Sequence, residues 1–237
     1  MEFTLSEMKS HLEILETRIK NACQKANRKR DEIKLIWVSK FHPTEAVENA
    51  ITLGAKDFGE NRVQEAEQKF SVKRPGIKCH IIGPVQSNKL KKAAIVADYI
   101  HSIANTEALE KLEHISAGQN KILNILFQIN AGEEETKSGV DVSGAEDFLN
   151  SLKEYPHLNY KGLMTIGKNT GCAEDSRNCF AFLKNLQQKF YNRDSRFKNF
   201  TELSMGMTLD LEVAIEEGAT MLRVGTALFG ERDYSHH

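Results

Sequence analysis

The sequence has few cysteines, few prolines and no excess of either charge. Its four cysteines lack CxxC spacing, so they suit a reducing compartment better than a disulfide framework. Only four prolines occur among 237 residues, and no segment is rich in proline, glycine or serine. Because nothing in this composition marks a linker, we expect one domain over residues 1–237.

Long apolar runs and targeting features are also missing. No stretch approaches the roughly 18 apolar residues that a membrane-spanning helix needs. The first 20 residues have no apolar core and contain Glu2, Glu7, Glu13 and Glu16, whereas transit peptides are typically poor in acidic residues. The net charge of −1 creates no general attraction for nucleic acid or anionic lipid. We therefore predict a cytoplasmic protein that binds a small molecule, with no nucleic-acid or membrane partner.

The pattern that is present alternates between strands and helices. Apolar residues three or four apart predict an amphipathic helix over residues 5–26. After it, the predicted strands cover residues 35–39, 57–59, 79–83, 99–102, 122–130, 162–166, 201–204 and 221–224. The helices predicted between them cover residues 44–53, 61–70, 86–97, 106–116, 145–154, 174–190 and 210–217.

Eight strands that each lead into a helix favour parallel pairing with right-handed crossovers. Residues 33–232 offer 200 residues for eight units, close to the lower bound of about 200 for a (β/α)8 barrel. A doubly wound open sheet has the same alternation, but it usually carries a glycine-rich turn after its first strand, and residues 39–43 are not one. We therefore predict an α/β protein with a single (β/α)8 TIM barrel. We expect a monomer, because such a barrel has no exposed strand edge.

Two late loops are candidates for binding phosphate. Barrel enzymes build their sites at the C-terminal ends of the strands and often bind phosphate after strands seven and eight. Ser204, Met205 and Gly206 follow predicted strand seven, where the hydroxyl and the exposed amides of the turn can face an anion. Gly225 and Thr226 follow strand eight. Either loop alone is also explained by turns and helix capping, but together they favour a phosphate site.

Two basic residues complete this candidate site. Lys40 ends an almost wholly apolar strand, where we expect partial desolvation to lower the pKa of its amine so that it can attack an aldehyde. The alternative is a solvated lysine at a strand end. Arg223 shares a strand face with Met221 and is expected to point into the barrel. Its acceptor there is either a pyridine nitrogen or the carboxylate of an ion pair.

Other polar residues are weaker candidates. Asn61 either faces a ligand or caps the helix that follows. His80 is interpreted as a core or rim histidine, because no carboxylate partner is evident in the sequence. Lys137 and the basic segment from Lys89 to Lys92 are typical of solvated surface, although each is also a candidate for a second, surface ligand site. No metal site is predicted.

Six segments together resemble the pyridoxal 5′-phosphate (PLP) homeostasis protein family, also called the YggS/PROSC family. The match covers nearly the whole chain in the same order and spacing. The segments are Val38-Ser39-Lys40, Phe58-Gly59-Glu60-Asn61, His80-Ile81-Ile82-Gly83 with Gln86-Ser87-Asn88-Lys89, Gly162-Leu163-Met164-Thr165-Ile166, Ser204-Met205-Gly206-Met207 with Asp210, and Arg223-Val224-Gly225-Thr226 with Phe229-Gly230.

The resemblance implies the barrel of PLP fold type III that forms the N-terminal domain of alanine racemase, without the C-terminal β domain of that enzyme. It implies that PLP is held as an internal aldimine on Lys40 and that Arg223 faces the pyridine nitrogen. By the same resemblance, the phosphate is held by Ser204, Met205, Gly225 and Thr226, and Asn61 and Met164 lie close by.

The resemblance also implies a function. Members of this family are regarded as carriers or regulators in vitamin B6 and amino-acid homeostasis, so we predict a carrier that hands PLP to apo-enzymes by transient contact, with no catalytic residue. Alanine racemase takes its second acid/base, a tyrosine, from its C-terminal domain, and the present sequence ends at His237, just after the last predicted strand. The alternatives are a racemase-like PLP enzyme whose second base is His80 or comes from a partner, and a barrel that binds a phosphorylated metabolite without PLP.

Overall fold

The structure is a computed structural model that describes residues 4–132 and 138–230, in which strands and helices alternate along the chain. The strands are β1 Lys34–Val38, β2 Asp57–Glu60, β3 Lys78–Ile81, β4 Tyr99–Ile103, β5 Leu123–Asn130, β6 Val140–Asp141, β7 Leu158–Met164, β8 Glu202–Ser204 and β9 Met221–Val224. The helices are α1 Leu5–Lys25, α2 Thr44–Thr52, α3 Val63–Phe70, α4 Leu90–Val96, α5 Thr106–Gly118, α6 Ala145–Ser151, α7 Arg177–Phe190, α8 Leu211–Glu216 and α9 Thr226–Phe229.

Eight of these strands form a closed parallel ring in the order β1, β2, β3, β4, β5, β7, β8, β9. The ring closes because β9 pairs with β1 on one side and β4 pairs with β5 on the other. Strand β6 is an addition that pairs with the C-terminal end of β5, where Ile129 lies opposite Val140. The predicted (β/α)8 barrel is therefore confirmed over the doubly wound open sheet.

The first helix matches its predicted bounds within one residue. It begins with a capping box, in which the Thr4 hydroxyl accepts from the Glu7 amide at 3.3 Å and the Glu7 carboxylate accepts from the Thr4 amide at 2.9 Å. Its buried face includes Met8 and Ile19 and packs against α8 and α9. In residues 4–132 and 138–230, no helix is both long enough and apolar enough to cross a membrane.

Alternation of side chains along the strands creates two separate cores. The larger one fills the space between the ring and its helices. The smaller one lies inside the ring and contains Ile36, Tyr99, Leu126, Met164 and Met221, which come from five different strands. Polar side chains occupy the rest of this interior and connect it to the site described below.

Strand β7 differs from its prediction. It begins at Leu158, four residues before the predicted segment 162–166, because Gly162 lies inside the strand and not at its start. At Gly162 the register with β5 shifts, φ is +155°, and a Cβ atom would overlap the carbonyl oxygen of Glu202 on β8. Glycine here permits a close approach of two strands, which local sequence patterns do not distinguish from a strand boundary.

Several short elements also differ from the sequence prediction. Residues 86–89 were predicted to begin a helix, but Ser87–Lys89 form a 3₁₀ turn and α4 begins only at Leu90. Helix α9, Thr226–Phe229, and strand β6 were not predicted. Elements of two to four residues are too short to show a periodic apolar pattern, so the sequence carries little signal for them.

The turn after β8 generates the first testable prediction. Gly206 has φ of +92°, and a Cβ atom there would lie 2.5 Å from the Cβ of Ala214 and 2.9 Å from the Cδ2 of Leu222. We expect Gly206→Ala to lower the free energy of unfolding by about 2–4 kcal/mol, through backbone strain and overpacking together. Gly54→Ala is the matched control, because Gly54 has φ of +93° and nothing within 4 Å. Equal losses in denaturant unfolding would contradict the overpacking argument.

Candidate functional site

The C-terminal ends of the barrel strands surround a cavity of about 450 Å³. This volume lies within the range of roughly 300–1,000 Å³ that is typical of small-molecule sites. The cavity is lined by Val38, Lys40, Asn61, Ile82, Gly83, Pro84, Gln128, Ser138, Ile166, Met207, Thr208, Leu209, Arg223, Gly225 and Thr226. All of them lie at or just beyond the ends of strands, apart from Ser138 in the loop before β6, so the cavity is at the end of the barrel where the sequence predicted a site.

Lys40 and Arg223 bring two basic side chains to the cavity. Lys40 is the second residue after β1 and is half-buried, whereas Arg223 lies on β9, opposite Ile36 of β1 in register, and is 5% exposed. Among the lining residues in the described part of the chain, none is acidic. The cavity therefore suits an anionic ligand.

Arg223 points into the barrel and is held there by two neutral acceptors. Its Nη1 donates to the Ser204 hydroxyl at 2.8 Å, and its Nη2 donates to the Thr165 carbonyl oxygen at 2.8 Å. The described residues therefore do not show the ion pair that the sequence left open as the alternative for Arg223. Burial lowers the pKa of Arg223 to about 10, against the opposing effect of Asp210, so the guanidinium stays protonated at neutral pH.

The two loops predicted to bind phosphate contribute unequally. Gly225 and Thr226 line the cavity, and so does Thr208, which the sequence analysis did not single out. The Ser204 hydroxyl lies inside the barrel, where it bonds both Arg223 and His101. In the loop after β8, the hydroxyl-bearing residue that lines the cavity is therefore Thr208, four residues beyond Ser204.

Met205 lies away from the cavity wall. Its side chain is completely buried in the outer core, and its amide donates to the carbonyl oxygen of Met221 at 3.2 Å. Strand alternation explains both outcomes, because Ser204 faces inward below the rim and the next residue faces outward. The residues beyond the sharp turn at Gly206 then reach the cavity.

Asn61 lies on the cavity wall, whereas Met164 lies inside the barrel. Asn61 lines the cavity, and the N-cap of α3 is Arg62 without a side-chain bond, so the capping role considered for Asn61 is not observed. Met164 is 1% exposed and belongs to the inner core, whereas Ile166, two residues further on, lines the cavity. Lys137 lies outside the described residues.

A buried ion pair supports the backbone next to Lys40. Lys69 Nζ donates to Glu60 Oε1 at 2.8 Å and to the Ser39 carbonyl oxygen at 2.7 Å, and the Ser39 hydroxyl donates to Glu60 Oε1 at 2.6 Å. Glu60 is completely buried, which raises the pKa of its carboxyl group, and the Lys69 ammonium opposes that rise. No sequence pattern indicates this cluster, because Ser39 follows β1, Glu60 ends β2 and Lys69 lies on α3, with no periodic relation among them.

His80 is a buried histidine, as the sequence predicted, but it has a carboxylate partner that the sequence did not reveal. Its Nε2 lies 2.9 Å from Asp57 Oδ1, and its Nδ1 lies 2.9 Å from Nε2 of His101. Asp57 is on β2 and His80 on the neighbouring β3, so their proximity depends on strand register. His80 is completely buried, its ring stacks on Tyr99 at 4.4 Å between centroids, and it does not line the cavity.

Comparison with known proteins assigns the family. Residues 11–233 match the family model for the alanine racemase N-terminal domain. The pyridoxal phosphate homeostasis protein of Vibrio alginolyticus is 36% identical over 236 residues, which cover 98% of this chain and 100% of the relative. The chain belongs to the pyridoxal phosphate homeostasis protein family. The family resemblance inferred from the sequence motifs is thereby confirmed.

Solved structures agree with this family and with its barrel. PipY from Synechococcus elongatus, with PLP bound, has a TM-score of 0.75 and 33% identity, covering 90% of this chain and 100% of that chain. An alanine racemase from Clostridium difficile has a TM-score of 0.73 and covers 96% of this chain and 57% of that chain. At 13% identity, the racemase likeness concerns the fold alone.

The two buried histidines predict a dependence of stability on pH. Burial lowers the pKa of both His80 and His101. Unfolded histidines take up protons near pH 6.5, so below that pH the unfolded state binds more protons and the free energy of unfolding falls. The slope approaches about 2.7 kcal/mol per pH unit for the pair. Denaturant unfolding between about pH 7.5 and pH 5.5 measures it.

Two variants separate this effect from other titrations. His101→Gln removes one buried histidine and should roughly halve the slope. His114→Gln is the control, because His114 is exposed on α5 and should leave the slope unchanged. Equal slopes in the two variants would show that the buried pair does not govern the acid sensitivity.

Proposed function

We propose that the protein binds PLP in the cavity at the C-terminal end of the barrel and carries it in vitamin B6 and amino-acid homeostasis. The observation that carries this proposal is that a lysine, an arginine and two threonines line one cavity, at Lys40, Arg223, Thr208 and Thr226. The relatives named above support it, since they are pyridoxal phosphate homeostasis proteins and PipY holds PLP.

Each of these groups has a partner on the cofactor. PLP supplies an aldehyde that bonds reversibly to a primary amine, and Lys40 provides that amine. Arg223 would donate to the ring nitrogen, because a protonated guanidinium has donors and no acceptor. Gly225 and the hydroxyls of Thr208 and Thr226 would hold the phosphate. The positive charge and the volume of the cavity fit this donor set.

The same side chains favour a carrier over an enzyme. An arginine at the ring nitrogen leaves the ring unprotonated, which makes PLP a weaker electron sink. Racemisation needs two acid/base groups, and among the lining residues that the structure describes, Lys40 is the one side chain of this kind. His80, the alternative second base, lies inside the barrel with both ring nitrogens bonded. We therefore infer a store that releases its cofactor.

A phosphorylated metabolite without PLP is a poorer match for the cavity. That ligand would use the threonine hydroxyls but would leave Lys40 and Arg223 without a shared role. Both line the cavity that Thr208 and Thr226 line, and one phosphorylated aldehyde with a ring nitrogen uses all four. PLP, which would use all four side chains, is therefore the better match for the cavity.

We infer a cytoplasmic location and transfer by transient contact with apo-enzymes, for a protein that acts as a monomer. The four free cysteines, three of which are buried, support the location. The closed ring of strands, which leaves no barrel edge open for pairing, supports the monomer. A surface PLP site at Lys89 to Lys92 is separate from this proposal, since none of those lysines lines the cavity.

Borohydride reduction tests the proposed site directly. We expect reduction of the protein with bound PLP, followed by peptide mapping, to place a pyridoxyl group on Lys40, because its amine lines the cavity. The adduct should be absent in Lys40→Ala and present in Lys89→Ala, which is the control for surface lysines. An adduct that persists elsewhere in Lys40→Ala, with none at residue 40 of the unmodified chain, would refute the assignment.

Pyridoxal, which lacks the phosphate, provides the second arm of this experiment. If the loops with Thr208 and Thr226 hold the phosphate, pyridoxal should label Lys40 at a much higher concentration than PLP. Equal labelling by the two aldehydes would contradict the role of these loops while leaving that of Lys40 intact.

A further inference from the structure

A continuous chain of hydrogen bonds runs through the barrel interior from the cavity to the opposite end. Arg223 Nη1 lies 2.8 Å from the Ser204 Oγ, and this oxygen lies 2.9 Å from Nδ1 of His101. Nε2 of His101 lies 2.9 Å from Nδ1 of His80, whose Nε2 lies 2.9 Å from Asp57 Oδ1. We call these five residues the inner hydrogen-bond chain.

The carboxylate of Asp57, together with neutral side chains at His80 and His101, whose pKa values burial lowers, determines the direction of every bond in the inner hydrogen-bond chain. A guanidinium can only donate, and an ionised carboxylate can only accept. Ser204 must therefore donate to His101, His101 must donate from Nε2 to His80, and His80 must donate from Nε2 to the carboxylate. Each neutral histidine then carries its proton on Nε2, and each ring nitrogen is used once.

The surroundings of the chain are consistent with these charges. His80, His101 and Ser204 are completely buried. Burial lowers the pKa of both histidines and so favours their neutral forms. Burial alone would raise the pKa of Asp57, but the hydrogen bond from His80 and nearby positive charges bring it below its ordinary value, so the carboxylate is ionised. Each hydrogen bond in the inner hydrogen-bond chain therefore joins one donor to one acceptor.

The consequence for the cavity concerns the orientation of the guanidinium. Arg223 has five N–H donors, and its contacts with Ser204 and the Thr165 carbonyl oxygen use one on each terminal nitrogen. These two bonds fix the plane of the group while it lines the cavity. If the Ser204 hydroxyl rotated, its proton would face the guanidinium, and the chain prevents this by giving that proton an acceptor on His101.

We propose that Asp57, His80 and His101 are positioning residues, which fix the arginine above them as a hydrogen-bond donor to the ring nitrogen of the cofactor. This inference rests on the proposed PLP site. It assigns a role to an acidic group at the opposite end of the barrel, which does not line the cavity. No proton is transferred, because the chain acts through its fixed direction and through the carboxylate charge at its end.

The test compares PLP with its analogue in which C–H replaces the ring nitrogen. Both ligands carry the same aldehyde and phosphate, so they differ in the one contact at issue. Asp57→Asn keeps the shape of the side chain but removes its charge and permits the chain to reverse. We expect it to weaken PLP binding about 3–10-fold and to leave binding of the analogue unchanged.

Two further variants isolate the chain from general electrostatics. Glu202→Gln removes another carboxylate at the same end of the barrel, with a side chain 15% exposed against 16% for Asp57, and it should not change the preference for PLP. Ser204→Ala interrupts the chain. It should reduce the preference by itself and abolish any further effect of Asp57→Asn. An undiminished effect of Asp57→Asn in the Ser204→Ala background would overturn the proposal.

Nitrogen NMR of the ligand-free protein provides a readout that is independent of PLP. We expect His80 and His101 to show protonated Nε2 and bare Nδ1 in the native chain, and His80 to show mixed tautomers in Asp57→Asn. Native rings with the proton on Nδ1 would overturn the chain itself.

If the native protein bound neither ligand, the proposed function would fail and this inference with it. If it bound both and Asp57→Asn affected them equally, only the inference would fail.

Discussion

A guanidinium buried inside a barrel requires acceptors, and this requirement organises the interior of the protein. Arg223 is 5% exposed and finds its acceptors in the Ser204 hydroxyl and the Thr165 carbonyl oxygen. The Ser204 hydroxyl in turn donates to His101, and His101 donates to His80. His80 donates to the ionised carboxylate of Asp57. A charge at the cavity is thus linked to an opposite charge at the other end of the barrel by neutral groups that are all satisfied.

The sequence predicted the features that depend on local apolar patterns, and it did not predict the contacts between segments that are distant along the chain. The eight barrel strands have clear apolar patterns, and the ends of parallel strands must meet, so the positions of Lys40, Arg223, Gly225 and Thr226 at one rim could be anticipated. Pattern alone locates a strand end but not the height of a side chain relative to the rim, so it did not show that the Ser204 hydroxyl bonds Arg223 and His101 inside the barrel. The Asp57 partner of His80 depends on strand register, which a single sequence does not display.

The proposed function depends on how few reactive groups, among the residues that the structure describes, share the cavity. In the proposed function, Lys40 would offer covalent but reversible attachment, and Arg223 would keep the ring in the form that stabilises negative charge least. The buried pair of Glu60 and Lys69 holds the backbone beside the attachment point, so the amine is presented by a rigid support. Secure binding, with no second acid/base group among the described lining residues, is the combination that the proposed cofactor store would need.

Transfer of PLP from the loaded protein to an apo-enzyme tests this account most directly. The loaded protein, freed of unbound PLP, is mixed with an excess of an apo-transaminase, and holo-enzyme formation is followed beside incubation of the loaded protein alone with amino acids. The account predicts delivery of about one PLP per chain, with no amino-acid product beyond that stoichiometry. Racemised or decarboxylated product that accumulates over many equivalents, and that is lost in Lys40→Ala, would contradict it.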